Sequence, residues 1–367
     1  MENFFVKKAP TGAFTAPPII RRYAGNPILT KNDIPYPADF AFNAGVAKFN
    51  GKYYIAPRVD FFGENYPPSE WIGTAFGTSD DGISFTIDSE PCHFWYQGEE
   101  LLWCNDTRLT VLDGELYASF CFNSSHSERP GIARWRGKGT DFDCICLGLP
   151  QQRNMILCPF KTKDGLYMRL ERPANQYKEP FHIWYSLSPD LRYWGDSELL
   201  LGVEDVPYAN KKIGGGAPPI KTRYGYLLIF HAVDSDPARK VQLKYLSWDM
   251  RYAAGAALFA PDDPTRLIGI TKNPLMLAEA PYETTNDDLY VENCIFPCGA
   301  TLEEDDTVRI YYGAGDWCTC LAETTLDEII AQITPCERIA EKATVPFRLC
   351  DWKKNNRGNC KSQSKKD

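Results

Sequence analysis

The sequence predicts an all-β protein, a five-bladed β-propeller with short terminal extensions. Three observations carry this expectation. Aromatic residues make up 13% of the 367 residues and Gly and Pro number 27 each, a composition suited to many short strands joined by tight turns. A hairpin signal, in which a polar or Gly-bearing turn adjoins an alternating aromatic-rich strand, recurs as FNGKYYIAPRVD (49–60), LDGELYASFCF (112–122), KDGLYMRLERP (163–173), RYGYLLIFHAV (223–233) and EDDTVRIYYGAGD (304–316). One such unit cannot bury both faces of its sheet, and five stacked radially close the structure.

Each element follows in order. Residues 1–25 carry Pro and basic residues and are expected to pack on the outside of the propeller, which is expected to span 26–340. Four of the five hairpins are followed by a second strand, an Asp- or Gly-bearing turn and an aromatic: GTSDDGISF (77–85), ARWRGKGTDF (133–142), YSLSPDLRYWG (185–195) and KYLSWDMRYAAGAALF (244–259). LDEIIAQI (326–333) is a short helical pattern. The C-terminal tail, 341–367, ends in KKNNRGNCKSQSKKD, has no apolar face and is expected to be largely disordered.

Bulk properties exclude several classes of function. A net charge of -8 with scattered Lys and Arg gives no basic stripe to track a phosphate backbone, so no nucleic-acid partner is expected. No apolar run approaches the roughly 20 residues of a membrane span, and MENFFVKKAPTGAF lacks the apolar core of a signal peptide. A soluble, cytoplasmic protein is expected. The 13 Cys are irregularly spaced, with C-x-C pairs at Cys144/Cys146 and Cys318/Cys320, and there are only four His. These thiols read as small apolar fillers in a reducing compartment, with no metal site.

In a propeller the innermost strand of each blade lines a central channel, so polar residues on those strands converge. The candidates are Asn43 and Arg58 from the first unit, Asp106 and Arg108 from the second, Arg153 and Arg172 from the third, Lys212 and His231 from the fourth, and Asp316 from the fifth. Asp106 and Arg108 lie two apart, which on a regular strand gives one face, and a structural ion pair explains that spacing as well as a working site does. His231, in LLIFHAV, reads equally as a buried His bonded to a backbone carbonyl. Arg153, Arg172 and Lys212 differ as a set: three cations gathered without matching carboxylates repel one another unless an anion is bound, and phosphate fits best. KIGGGAPP (212–219) lacks the G-x-x-x-x-G-K-[ST] order of a nucleotide-phosphate loop, and its glycines read as places of close backbone approach beside a ligand.

At these residues the chain resembles glycoside hydrolase family 130, the β-mannoside phosphorylases and related mannosidases. The resemblance runs from RRYAGNPILT (21–30) to IYYGAGD (310–316) through FNAGV, RVD, NDTRLT, RNMILCPFK, ERP, KIGGGAPPIKT, GYLLIFHAV, YE and FPCGA. It implies a five-bladed propeller enzyme, a glycosyltransferase that uses inorganic phosphate as co-substrate and no cofactor. It also implies roles: Asp106 as general acid, donating by way of a hydroxyl of the mannosyl ring; Asn43, Arg58, Arg108 and Asp316 around the mannosyl unit; Arg153, Asn154, Arg172, Lys212 and His231 around phosphate. Two departures stand out. The family usually reads D-P-R where this chain has Asp106-Thr107-Arg108, which keeps both acid and Arg; and Glu171 replaces a frequent His before the Arg of ERP, putting a negative charge beside the expected anion site.

The expected reaction is inverting phosphorolysis of a β-mannoside to α-mannose 1-phosphate and an acceptor sugar. An inverting hydrolase needs a second carboxylate to activate water, whereas phosphate is itself an anionic nucleophile that a basic cluster can orient. Hydrolysis, as in the family's β-1,2-mannosidases, is the alternative. The acceptor side falls on loops such as 60–71 and 204–211, and a homo-oligomer stays open.

Overall fold

The computed structural model describes residues 14–62, 71–174, 180–244, 246–284 and 290–336 and is a five-bladed β-propeller. The first blade runs outward from Phe40–Phe49 through Lys52–Phe61, Gly77–Ser79 and Thr86–Ile87. The second starts at Cys104–Leu112, continues through Glu115–Asn123, Glu128–Trp135 and Asp141–Leu147, and is widened by His93–Tyr96 and Glu99–Leu101. The third is Gln152–Lys161, Tyr167–Pro173, Ile183–Ser188 and Gly195–Leu201; the fourth is Lys212–Gly215, Gly225–Ser235, Met250–Ala260 and Asp263–Thr271. The fifth is Ile295–Leu302, Thr307–Ala314 and Cys318–Thr325.

The apolar sides of these sheets bury one another blade against blade, and each junction has its own cluster. Ala47, Ala56 and Phe76 of the first blade meet Leu109, Phe120 and Phe142 of the second. Leu112, Tyr117 and Ile132 meet Met155 and Leu157 of the third. Ile156 and Leu170 meet Ile213 and Phe230 of the fourth. Leu227, Ile229 and Ala256 meet Ile295, Ile310 and Tyr312 of the fifth. Ala41, Ile55 and Val59 meet Tyr311 and Leu321 to close the ring. Area-proportional burial spread over five such junctions makes the ring, rather than any single blade, the stable unit.

The Asp-bearing turns of GTSDDGISF and YSLSPDLRYWG are one structure used twice. The Ser79 hydroxyl accepts from the amides of Asp81 and Gly82 while Asp81 Oδ1 accepts from Ile83 and Ser84; Ser188 and Asp190 repeat the pattern with Leu191, Arg192 and Tyr193. Such side-chain bonds take up amides that a tight turn leaves unpaired. The helical pattern near the end forms Leu326–Gln332, capped by Thr325 and Glu328, and Ile333–Pro335 then pairs with Asp263–Thr271 of the fourth blade. No described helix is long and apolar enough to cross a membrane. The tail 341–367 and residues 1–13 lie outside the described residues.

Residues 14–25 do more than lie against the outside. Phe14 packs on the junction of the third and fourth blades, and Arg21–Arg22 pairs antiparallel with Ala322 and Glu323 as the outermost strand of the fifth. Arg22 is fixed from within: its Nε and Nη2 donate to the fully buried Glu283 carboxylate at 2.8 and 3.0 Å, and Nη2 also donates to the Leu277 carbonyl. Glu283 further accepts from the Tyr312 hydroxyl at 2.8 Å and from the amides of Glu279 and Ala280. Removing one partner of such a network leaves buried charge unpaired. Glu283→Ala is therefore expected to lower stability by about 3–5 kcal/mol, read as a reduced urea midpoint at unchanged m-value.

Candidate active site

Four residues lining one pocket at the top of the channel are non-glycine residues in the left-handed backbone region: Asn43 at φ 51°, Asp106 at 51°, Asn154 at 56° and Asp316 at 52°. Asn and Asp are the side chains that tolerate this region best. Three of the four sit in matching β-bulges. The pairing register slips by one residue between Phe42 and Gly45, between Asn105 and Arg108, and between Arg153 and Ile156, so that Asn43-Ala44, Asp106-Thr107 and Asn154-Met155 each face a single residue of the neighbouring strand. A bulge breaks the strict alternation of faces and re-aims a side chain. Asp316 reaches the same pocket from the turn between Thr307–Ala314 and Cys318–Thr325.

The bulge answers whether Asp106 and Arg108 form a simple pair. Arg108, fully buried, turns beneath the pocket: it donates to the backbone carbonyls of Gly216, at 3.2 Å, and of Asp106, and lies 5.2 Å from the Phe296 ring. The Asp106 carboxylate faces the other way, into the pocket. Its Oδ1 accepts from Asn43 Nδ2 at 3.3 Å and lies 3.7 Å from Arg58 Nη1, and its Oδ2 accepts from Arg153 Nη2 at 3.2 Å. Arg58 is itself held two-pronged by Asp60, both bonds 2.7 Å, with its guanidinium 5.0 Å from the Phe42 ring.

The far wall is basic. Arg172 is buried, and its Nη1 donates to His231 Nε2 at 3.2 Å while its Nε has no partner. Lys212 places its ammonium 5.1 Å from the Tyr252 ring. Among the described residues neither cation has a carboxylate within ion-pair distance, and the Asn154 amide nitrogen is buried without a partner. Arg153 divides itself between Asp106 and the rim residue Glu128, 3.8 Å away. Asn43, Arg58, Asp106, Arg153, Asn154, Arg172, Lys212, Tyr252, Cys294, Phe296 and Asp316 line a cavity of about 150 Å³. That is below the range of about 300–1,000 Å³ of drug-sized sites.

Electrostatics divide the two pocket acids. Burial alone would raise Asp106, but Arg58, Arg153 and Arg108 outweigh it and hold the carboxyl down at about 2. Asp316 is pushed up to about 6 by burial, with the negative charges of Asp106 and Asp60 adding to it against Arg58 and Lys212. Lys212 is pulled down to about 7 by burial and by Arg172 and Arg153. Arg172 falls to about 10, chiefly through burial. His231 is held neutral by burial and by the adjoining cations, which agrees with Nε2 accepting from Arg172.

The structure thus brings eight of the ten residues singled out in the sequence onto one pocket wall, and sets Arg108 and His231 directly behind it. Glu171 is turned away. It lies opposite the Asn154 bulge on the alternate face from Arg172, buried against Arg169 Nε at 2.6 Å and the hydroxyls of Ser186 and Ser197. Its charge is neutralised inside the third blade and does not reach the anion wall. Thr107 bonds the Thr74 hydroxyl of the first blade at 2.8 Å. The glycines of KIGGGAPP approach protein rather than the pocket: an added Cβ would meet His231 Cε1 at 2.4 Å from Gly214, Ile156 Cδ1 at 2.5 Å from Gly215 and the Ile229 carbonyl at 2.7 Å from Gly216. Tyr252, Cys294 and Phe296 line the pocket without any distinguishing signal in the sequence. The 11 described cysteines are free thiols.

Comparison with known proteins agrees with this architecture. The family model of glycoside hydrolase family 130, described as beta-1,4-mannooligosaccharide phosphorylase, matches residues 14–334. A beta-1,2-mannobiose phosphorylase of Listeria innocua is 28% identical, covering 86% of this chain and 98% of the relative. A beta-1,4-mannooligosaccharide phosphorylase of Ruminococcus albus is 29% identical, over 85% and 90%. The solved structure of the Listeria innocua enzyme in complex with beta-1,2-mannobiose superposes with a TM-score of 0.71 at 26% identity, covering 86% of this chain and 99% of that one.

The raised Asp316 has a consequence for stability. An acid whose folded pKa lies above its unfolded one binds more protons when folded, so stability falls as pH rises from about 4 through about 6. Asp316→Asn is expected to stabilise the protein by about 1–3 kcal/mol at pH 7 and by little at pH 4, measured by urea unfolding at both pH values.

Proposed function

Because the chain belongs to glycoside hydrolase family 130, we propose that it is an inverting β-mannoside phosphorylase, cleaving a mannosyl di- or oligosaccharide with phosphate to α-mannose 1-phosphate and an acceptor sugar. One observation carries this reading: the buried Arg172 and the half-buried Lys212 stand, among the described residues, without a carboxylate partner across the same cavity as Asp106. An oxyanion satisfies them, and a phosphate seated there is an attacking group that needs no general base.

In this reading Asp106 is the general acid for the leaving oxygen, acting by way of a hydroxyl of the mannosyl ring. Asn43, Arg58 and Asp316 surround the mannosyl unit, and Arg108 supports the bulge that carries Asp106. Arg153, Asn154, Arg172 and Lys212 hold phosphate; His231 sets Arg172 by accepting a hydrogen bond from its Nη1 at Nε2. No cofactor takes part, phosphate being the co-substrate. Hydrolysis would require a carboxylate base for water. Glu171 is committed to Arg169 and is not available for that role; Asp316 is the other acid of the pocket, and it is the unpaired Arg172 and Lys212 that favour phosphorolysis. Relatives acting on β-1,2 and on β-1,4 linkages match this chain about equally, so the linkage is a matter for assay.

Purified protein incubated with β-1,2-mannobiose or β-1,4-mannooligosaccharides is expected to release mannose 1-phosphate only when phosphate is supplied; free mannose released equally without phosphate establishes the hydrolase instead. Asp106→Asn is expected to lower kcat by about 10²–10⁴-fold with the circular dichroism of the fold retained. Lys212→Met is expected to raise the KM for phosphate by about 10–100-fold, with a smaller change in the KM for the mannoside.

A further inference from the structure

Resting on the phosphorolytic reading, we propose that Arg153 is a latch on Asp106: the incoming phosphate draws the Arg153 guanidinium away, and the aspartate thereupon takes up from solvent the proton that it delivers to the leaving oxygen. The need for such a step is visible in the pocket. A carboxylate bonded by Asn43 and Arg153 and flanked by Arg58 is ionised, and an ionised group has no proton to give.

The three cations around Asp106 differ in their freedom to move. Arg58 is clamped by both oxygens of Asp60 at 2.7 Å and lies against Phe42. Arg108 is fully buried, tied to two backbone carbonyls and set against Phe296. Arg153 alone retains an open side: its side chain is 30% exposed, and its second contact is Glu128 at 3.8 Å, itself 45% exposed on the rim. Arg153 also lines the same cavity as Arg172, Lys212 and Asn154, so its fork lies between the acid and the anion seat. A phosphate dianion offers it the stronger bidentate partner.

Two effects then act on Asp106 in the same direction. One opposite charge leaves and a like charge arrives, and each raises a carboxyl pKa. The remaining polar and titratable groups that act on Asp106 or share its pocket are Asn43, Arg58 and Asp60 from the first blade, Arg108 and Cys121 from its own, Asn154, Arg172, Lys212 and Tyr252 across the cavity, and Asp316, Cys294 and Cys298 from the fifth. None of them is a mobile cation able to replace Arg153, because Arg172 and Lys212 are drawn to the same anion. The balance closes. Hydrogen phosphate dianion forms its bond to the anomeric carbon as the glycosidic bond breaks, the ring hydroxyl passes its proton to the leaving oxygen and is reprotonated by Asp106, and the products are a sugar phosphate monoanion, a neutral acceptor and the Asp106 carboxylate. Arg153 can then return to Asp106, which loosens the product.

Inorganic phosphate titrated calorimetrically into the full chain near pH 6, in two buffers of different ionisation heat, counts the protons taken up. Wild type is expected to take up on the order of half a proton more than Asp106→Asn. The infrared difference spectrum on adding phosphate is expected to gain the carbonyl stretch of a protonated carboxyl. That band is expected to shift on ¹³C-aspartate labelling, persist in Asp316→Asn and vanish in Asp106→Asn. The labelled wild type and Asp316→Asn decide the point even if Asp106→Asn does not fold. Phosphate binding with no such band and no excess uptake overturns the latch while leaving phosphorolysis standing. Absence of phosphate binding removes the phosphorolytic reading and the latch with it.

Discussion

The site depends on a charge that must be kept buried in the right place. Asp106 lies in the left-handed region at the crest of a bulge, and its carboxylate is kept inside the pocket by hydrogen bonds from Asn43 of the first blade and Arg153 of the third and by the nearby charge of Arg58, while Arg108 holds its backbone carbonyl from below. Desolvating an isolated carboxylate is costly enough that the group would otherwise turn out to solvent or protonate. The blades are therefore locked in relative position by the acid as well as by their apolar junctions. A shift of one blade would separate Asp106 from a partner on another.

Repetition explains how one fold supplies so many polar groups to one small space. In the first three blades the innermost strand bulges at the same depth, and the residue at the bulge is Asn43, Asp106 or Asn154. The neighbouring strand presents, just beyond each bulge, Arg58, Cys121 or Arg172. Two structural positions per blade thus generate much of the pocket, with chemistry varied by substitution: amide and guanidinium, carboxyl and thiol, amide and guanidinium again. The carboxyl position is flanked on both sides by the Arg positions, which is how an acid and an excess of positive charge come to share a cavity.

Much of this was legible in the chain. The five hairpin signals located the second strand of every blade, and Asp106 and Arg108 were conspicuous as two charges on an inner strand. The alternation rule failed where the bulges lie. On a regular strand Asp106 and Arg108 share a face, yet the left-handed Asp106 sends its carboxylate up and leaves Arg108 below. The same rule, applied to Glu171 and Arg172, separates them correctly, because that strand is the unbulged partner. Tyr252 and Phe296 could not be told from core aromatics, since both are buried apolar residues that happen to border a cavity. Bulges have one sequence signature here, Asn or Asp within an otherwise apolar inner strand, residues that strands ordinarily avoid.

The pairing of Arg21–Arg22 with Ala322–Glu323 sets an order on how the molecule comes into being. As the polypeptide leaves the ribosome, the residues that seal the last blade emerge first and wait for a partner made some three hundred positions later. Contacts of such sequence separation form slowly, because the chain entropy they spend is largest. Sheets with one unsealed edge are the species exposed during that interval. Kinetics of biogenesis, more than equilibrium stability, is where this topology leaves the protein most vulnerable.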